Sequence, residues 1–137
     1  MRVTADTNLI VSAALWGGNP RRVIDAARDG VFEIFTSPML LAELDRILTR
    51  TKFEKQFLTL GFTAKDLIDE FVGFATVIDA APIATKIARD VDDDAVLACA
   101  VASESEAIVS GDHDLLVLKH YKTIRILTAT EFLIELG

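Results

Sequence analysis

Short apolar segments with the character of β-strands alternate along this chain with segments of helical periodicity. Between the strand-like segments, apolar residues recur at the three- and four-residue spacing of amphipathic helices. Strands that alternate with helices in this way form a parallel sheet with helices on both faces. We therefore predict an α/β fold, a three-layer α/β/α sandwich around a central, mainly parallel, twisted sheet of four to five strands. The predicted strands lie at residues 2–6, 31–35, 76–78, 107–110 and 124–127.

Helix starts are marked by residues that cap the first free backbone N–H groups. A capping residue before a first-turn proline is one such signal, and a capping box is another. Four signals of these kinds occur, at Asn19-Pro20, Ser37-Pro38, Thr63 with Asp66, and Thr128 with Glu131. With the apolar runs that accompany them, they predict helices over residues 9–15, 19–30, 38–49, 53–60, 64–74 and 129–136, and one that begins near residue 93.

The composition is that of one globular domain, which we assign to residues 1–137. Hydrophobic residues make up 51% of the chain and charged residues 26%, a balance that excludes a disordered chain. No apolar run could span a membrane, and an acid at position 6 interrupts the place of a signal peptide. A lone cysteine cannot form an internal disulfide, so we expect a cytoplasmic protein. The net charge of −7 argues against a broad basic surface for duplex DNA.

An acidic stretch directly precedes one of the predicted helices. It contains Asp90, Asp92, Asp93 and Asp94. One or two acids suit a helix start, because aspartate caps the first turn and the helix dipole favours negative charge there. Four carboxylates at this spacing repel one another. The stretch therefore indicates either a bound cation or an over-charged helix start.

Acids from other segments are expected at the same edge of the sheet. Asp6 and Asp112 each lie just past the end of a predicted strand. In open parallel sheets, ligands bind outside the carboxyl ends of the strands, so both side chains should reach that edge. Asp94 leads a helix that starts at an edge of the sheet, and Glu43 lies one turn into the helix after the second strand. Converging carboxylates without histidine or cysteine favour Mg²⁺ or Mn²⁺ over zinc.

Five short motifs follow one another in the chain: Asp6-Thr7-Asn8, Trp16-Gly17-Gly18, Thr36-Ser37-Pro38 leading to Glu43, Asp92-Asp93-Asp94-x-x-Leu97-Ala98-x-Ala100, and Ser110-Gly111-Asp112-x-Asp114-Leu115-Leu116. Their order and spacing over residues 6–116 resemble the PIN-domain family, and closely its bacterial and archaeal subgroup of VapC-like toxin components from toxin–antitoxin pairs. The resemblance implies a PIN-like fold and a metal-dependent ribonuclease or related nuclease. Val91, where related sequences often have proline, departs from the pattern and concerns only the loop before a helix.

The resemblance also implies a role for individual residues. The catalytic acids would be Asp6, Glu43, Asp94 and Asp112. The metal ligands would come from Asp6, Asp93, Asp94, Asp112 and Asp114. Waters, the metal shell or the scissile phosphate would be held by Thr7, Asn8 and Ser110.

Plainer interpretations remain open for several of these residues. Asp6 could cap the helix that follows, Glu43 could be a solvated helix residue, and Asp92 is best assigned as an ordinary N-cap outside the site. The three hydroxyl and amide residues of the motifs could be turn formers. Charged helix faces are usually only solvated, but one basic run begins close to Glu43 and suggests an RNA-backbone contact; it consists of Arg46, Arg50, Lys52 and Lys55.

The leading hypothesis is a Mg²⁺- or Mn²⁺-dependent endoribonuclease that cuts single-stranded or structured RNA to 5′-phosphate and 3′-hydroxyl ends. The same chemistry would permit cleavage of single-stranded DNA. By resemblance, the partners would be a small antitoxin protein and a second copy of the chain. Two alternatives are a non-catalytic PIN-like interaction module and, less favoured, a Mg-dependent phosphotransfer domain. The second would need Asp-x-Asp after the first strand, where this chain has Asn8.

Overall fold

The computed structural model describes the backbone of residues 1–81 and 91–137, and the side chains of these residues except at 51 and 91–93. The strands are β1 (Arg2–Ala5), β2 (Glu33–Thr36), β3 (Thr76–Val77), β4 (Ala107–Val109), β5 (His120–Tyr121) and β6 (Ile124–Leu127). The helices are α1 (Thr7–Leu15), α2 (Gly18–Arg28), α3 (Pro38–Leu48), α4 (Glu54–Leu60), α5 (Ala64–Phe74), α6 (Val91–Ala102), α7 (His113–Leu116) and α8 (Ala129–Leu136), with a 3₁₀ turn at Thr51–Phe53.

The described strands form one sheet in the order β3-β2-β1-β4-β6-β5. Every pair is parallel except β5 with β6, which is antiparallel. On β1, Thr4 pairs with Phe35 of β2 and with Ile108 of β4. The α/β class is confirmed. The sheet of the described residues has six strands, one more than the upper limit of the predicted four to five, because the two-residue strand β5 was not predicted.

Side chains that alternate along the strands divide the interior into two cores. Val3, Ile34 and Val109 belong to one core, which α1, α2, α5 and α8 complete. Phe35 and Ile108 point the other way into a second core, which is completed mainly by α6. Because successive residues of a strand face opposite sides, this pattern requires a helical layer on each face. The three-layer sandwich is therefore confirmed.

Helix α6 runs antiparallel to β1. At its C-terminal end, Arg2 Nε donates to the carbonyl of Ser103 (2.7 Å), and the hydroxyls of Thr4 and Ser105 lie 2.9 Å apart. Its N-terminal end is therefore directed to the carboxyl edge of the sheet. The helix begins at Val91 rather than near residue 93, so Asp92 is its second residue and not the N-cap.

Local capping explains most of the other helix starts. The Ser37 hydroxyl accepts from the Leu40 amide, and complete capping boxes start α5 and α8, as predicted. Helix α2 differs, because it begins at Gly18 and the side chain of Asn19 donates to the Thr130 hydroxyl instead (2.9 Å). The sequence pattern also predicts a loop over residues 79–90, and most of it lies outside the described residues. No helix in the described ranges is long and apolar enough to cross a membrane.

Candidate functional site

The ends of β1 and β4 bring Asp6 and Ser110 side by side. The register pairs Ala5 with Val109, so the next residues of the two strands are neighbours. The Asp6 amide donates to the Val109 carbonyl (3.1 Å), and the Ser110 hydroxyl donates to Asp6 Oδ2 (2.7 Å). Parallel pairing of two central strands therefore fixes this carboxylate at the carboxyl edge of the sheet.

Asp6 is an almost fully buried carboxylate, with 4% of its surface exposed. Burial raises its pKa above the usual value, the hydrogen bond from Ser110 lowers it, and the negative charge of Asp112 raises it again. In the described part of the chain, no positive side chain is among the groups that set this pKa. Although Asp6 is the N-cap residue of α1, its side chain makes no capping hydrogen bond. The backbone N–H groups of Thr7 and Asn8 still lower its pKa, so Asp6 keeps a weak interaction with the helix start without a formed cap.

Asp112 joins the same hydrogen-bonded chain from the other side of Ser110. Its amide donates to the Ser110 hydroxyl (2.9 Å), and its own Oδ1 accepts from the Asp114 amide (3.0 Å). Asp112 thereby caps the short helix α7 and is only half-buried. The structure thus brings together Asp6, Ser110 and Asp112, and one carboxylate oxygen of Asp112 is engaged in the cap.

The remaining predicted acids lie on three helices around this edge. Asp94 is buried in the first turns of α6, Glu43 is half-buried in α3 with one oxygen shielded from solvent, and Asp114 is half-buried in α7. The side chain of Asp93 lies outside the described part. Within that part, no three His, Cys, Asp or Glu side chains are grouped closely enough to hold one ion. Direct convergence of the full acid set with Asp6 therefore stays a prediction.

Two hydroxyls flank the Asp6 carboxylate. Ser110 is buried and donates to one oxygen, while Thr7 is buried with its hydroxyl 3.5 Å from the other, a long and weak contact. Asn8 is exposed at the start of α1. The predicted neighbours Thr7 and Ser110 are therefore in contact with Asp6, and Asn8 is open to solvent beside it.

The comparisons with known proteins identify the family. The family profile described as "PIN domain" matches residues 2–114, which is most of the chain. The chain belongs to the PIN-domain family. Members of this family are generally nucleases that use divalent metal ions.

A solved structure with a similar fold supports this architecture for the PIN domain. It is VapBC2 from Rickettsia felis bound to a DNA fragment from their promoter, with 17% sequence identity and a TM-score of 0.63. The match covers 93% of this chain and 98% of that chain. At this identity, the likeness shows the fold alone. No curated protein matches this chain in sequence.

The predicted basic run of the PIN domain lies on its surface. It follows the second half of α3, the 3₁₀ turn and the start of α4, and each of its members is exposed: Arg46, Arg50, Lys52 and Lys55. The ammonium of Lys52 lies 5.0 Å from the ring centre of Phe53, which holds its stem against the protein. These cations are accessible to a polyanion, and their contact with RNA stays a prediction.

The raised pKa of Asp6 predicts a pH effect on stability of the metal-free protein. Folding raises the pKa of Asp6, so the folded state binds the proton of this carboxyl more tightly than the unfolded state does. The stabilisation that results is fully present below the unfolded pKa of about 4 and is lost as pH rises through the pKa of the folded state. We expect Asp6→Asn to be more stable than wild type at pH 7 in EDTA, by roughly 1 kcal/mol, and the difference to shrink at pH 4. Urea unfolding at both pH values measures this.

The matched control for this prediction is Asp45→Asn, which removes an exposed carboxylate of α3. It should leave stability within about 0.5 kcal/mol of wild type at both pH values. A lower stability of Asp6→Asn at pH 7 would instead show that the Asp6 carboxylate stabilises the fold.

Proposed function

We propose that this PIN domain is a Mg²⁺- or Mn²⁺-dependent endoribonuclease that hydrolyses phosphodiester bonds of single-stranded or structured RNA. One observation carries the proposal. A buried carboxylate, Asp6, lies beside a second one, Asp112, at the sheet edge where ligands of parallel α/β folds bind. Two adjacent carboxylates raise each other's electrostatic energy unless a cation joins them. The family assignment supplies the class of reaction.

The donor set fits a hard divalent cation. Mg²⁺ is commonly held by one or two carboxylates, with waters and substrate phosphate oxygens as its other ligands. Asp6 and Asp112 would hold it, while the hydroxyl of Ser110 donates to the Asp6 carboxylate and accepts from the backbone amide of Asp112. Further oxygen ligands are proposed from Asp93, Asp94 and Asp114, and Glu43 is proposed as an additional catalytic acid. When bound, the cation would offset phosphate charge and lower the pKa of water.

The residues themselves would orient the carboxylates and position the substrate. The Ser110 hydrogen bond fixes the plane of the Asp6 carboxylate, and the α7 cap fixes the direction of Asp112. Asn8, exposed beside Asp6, would donate to a phosphate oxygen. Attack of water on phosphorus with departure of the 3′-oxygen gives a 5′-phosphate and a 3′-hydroxyl. Because no RNA 2′-hydroxyl takes part, single-stranded DNA is a second possible substrate.

The proposed biological setting is a toxin–antitoxin pair. The motifs resemble those of toxin components, and the fold likeness to VapBC2 agrees with this setting. We propose a small antitoxin protein as partner and a homodimer as the assembly. A cytoplasmic location agrees with the single cysteine, Cys99, which is buried and free.

Incubation of the purified protein with a mixed RNA pool tests this function. We expect new ends in the presence of Mn²⁺, each with a 5′-phosphate and a 3′-hydroxyl, and no new ends in EDTA. Sequencing of ligated ends, with and without phosphatase treatment, identifies both termini. Unchanged RNA at high protein concentration with Mn²⁺ would overturn the proposal in favour of a non-catalytic interaction module.

A further inference from the structure

An exposed tryptophan lies at the far end of helix α1, the helix that follows Asp6. Trp16, the chain's only tryptophan, is 66% exposed at the C-terminus of α1. Its amide donates to the Ser12 carbonyl (2.9 Å), and Gly17 and Gly18 follow with φ of 78° and 66°. The backbone of Trp16 is thus fixed, while its large apolar ring is left in water. Packing among the described residues does not explain this exposure.

The solvent-facing side of α1 connects this tryptophan to the carboxylate pair. Asn8, Ser12 and Trp16 are spaced by four residues and lie on one face of the helix. Asn8 and Trp16 are exposed and Ser12 is half-buried, so this face is at least partly accessible to solvent along the helix. The nine residues of α1 span about 13 Å. A strand of a few nucleotides could therefore run from the sheet edge to the indole.

A groove that includes Leu15, the residue before Trp16, adds a cation and hydrogen-bonding groups. It has a volume of about 310 Å³ and is lined by Leu15, Lys55, Gln56, Thr59 and Leu60. Leu15 directly precedes the tryptophan, and Lys55 is an exposed member of the basic run. The oxygen of the Gln56 side-chain amide is buried and has no hydrogen-bond partner among the described residues. An apolar wall, a lysine and polar side chains together suit a nucleobase and its adjoining phosphate.

We propose that Trp16 is a stacking platform for a base of the nucleic-acid strand, with Lys55 contacting the backbone next to it. This inference rests on the proposed function and adds a residue that positions the substrate at a distance from the acids. Stacking accepts every base, because each has a π face, so Trp16 would increase affinity with little sequence preference. A protein partner is the other occupant that an exposed indole could have. The partly exposed face of α1 between Asp6 and Trp16, and Lys55 in the groove that Leu15 lines, favour a polyanionic strand.

Intrinsic fluorescence tests the stacking directly, because Trp16 is the only indole. Short single-stranded RNA of mixed sequence is titrated into the Asp6→Asn variant of residues 1–137, which is expected to leave the RNA intact. We expect quenching of the tryptophan emission that saturates with the same Kd as anisotropy of labelled RNA. Absence of quenching at RNA concentrations that saturate the anisotropy signal would overturn the proposal.

Substitutions at Trp16 separate stacking from bulk. In the Asp6→Asn background, Trp16→Leu should weaken RNA binding by about five- to a hundredfold, whereas Trp16→Phe should stay within a few-fold because it keeps a ring. Leu58→Ala, which truncates an even more exposed apolar residue of α4 (82% exposed), is the control and should leave Kd unchanged. In the cleaving protein, Trp16→Leu should raise KM with little change in kcat.

The outcomes distinguish this proposal from the proposed function. If wild type cleaves RNA and the Kd for RNA in the Asp6→Asn background is the same with and without Trp16→Leu, the stacking proposal is overturned and the proposed nuclease function stands. Quenching by RNA without cleavage by wild type would support stacking and contradict the nuclease. If Trp16→Leu instead dissociates a dimer in sedimentation and leaves RNA affinity unchanged, the tryptophan belongs to a protein interface and the proposal is wrong.

Discussion

Replacement of Asp6 by asparagine is expected to abolish Mn²⁺-dependent RNA cleavage. The change keeps the size of the side chain and an oxygen that can accept from Ser110, but removes the charge that would hold the cation. Loss of a group that only supports a metal ligand already costs roughly 10–100-fold in activity or affinity. We therefore expect more than a hundredfold loss of cleavage rate, measured as initial rates on a labelled single-stranded RNA.

A binding measurement shows whether that loss reflects the cation. Saturating Mn²⁺ should raise the Tm of wild type, since a ligand of the folded state stabilises it, and should shift Asp6→Asn much less. The exposed acid of α3 provides the control, because Asp45→Asn should behave as wild type in both assays. Equal Tm shifts in wild type and Asp6→Asn would contradict a cation site at Asp6. Full activity of Asp6→Asn would contradict its catalytic role as well.

The first and last residues of some elements could be predicted from the sequence, because nearby residues in the chain determine where these elements begin and end. Helices α5 and α8 have the predicted bounds, because Thr63 and Thr128 satisfy free N–H groups through side chains three residues apart. Strand β6 also agrees, since Ile124 and Ile126 alternate with solvent-facing or half-buried neighbours. In each case, the information that defines the element lies within the element.

Elements that depend on contacts elsewhere could not be predicted in this way. Strand β5 has two residues and pairs with β6 across a turn in which Lys122 has φ of 54°, a conformation that side-chain pattern does not encode. Helix α7 has four residues, too few to show helical periodicity, and is held by the Asp112 cap and the buried Leu115. Helix α6 begins at Val91, two residues before the predicted start near residue 93. Several successive acids precede its apolar run, and each of them could act as the N-cap, so the sequence does not define a single start.

Some features of the candidate site could also be predicted from the sequence, and others depend on contacts between distant elements. Strand ends predict that Asp6 and Asp112 share an edge, because register in a parallel sheet aligns them. The hydrogen bonds through Ser110 could not be derived from the pattern, and its role was implied only by the family resemblance. The positions of Glu43 and Asp94 relative to Asp6 depend on how α3 and α6 pack against that edge. Sequence periodicity gives the buried face of a helix, but not its distance from a neighbouring strand.

Asp112 offers the sharper test, because its two roles can be separated. Asparagine is as good an N-cap as aspartate, so Asp112→Asn should keep the hydrogen bond from the Asp114 amide and leave stability within about 0.5 kcal/mol. It removes the charge next to Asp6, so cleavage should fall by roughly a hundredfold. Asp112→Ala should lose the same activity and, in addition, about 1 kcal/mol of stability from the missing cap.

Urea unfolding and RNA cleavage on both variants separate the two interpretations. If Asp112→Asn cleaves RNA as wild type while Asp112→Ala is inactive, Asp112 serves only to cap α7, and the cation would have to be held from Asp6 by other acids. If both are inactive and only the alanine variant is less stable, its charge acts in the reaction. The cap then has a functional purpose, because it fixes one oxygen of Asp112 and directs the remaining one.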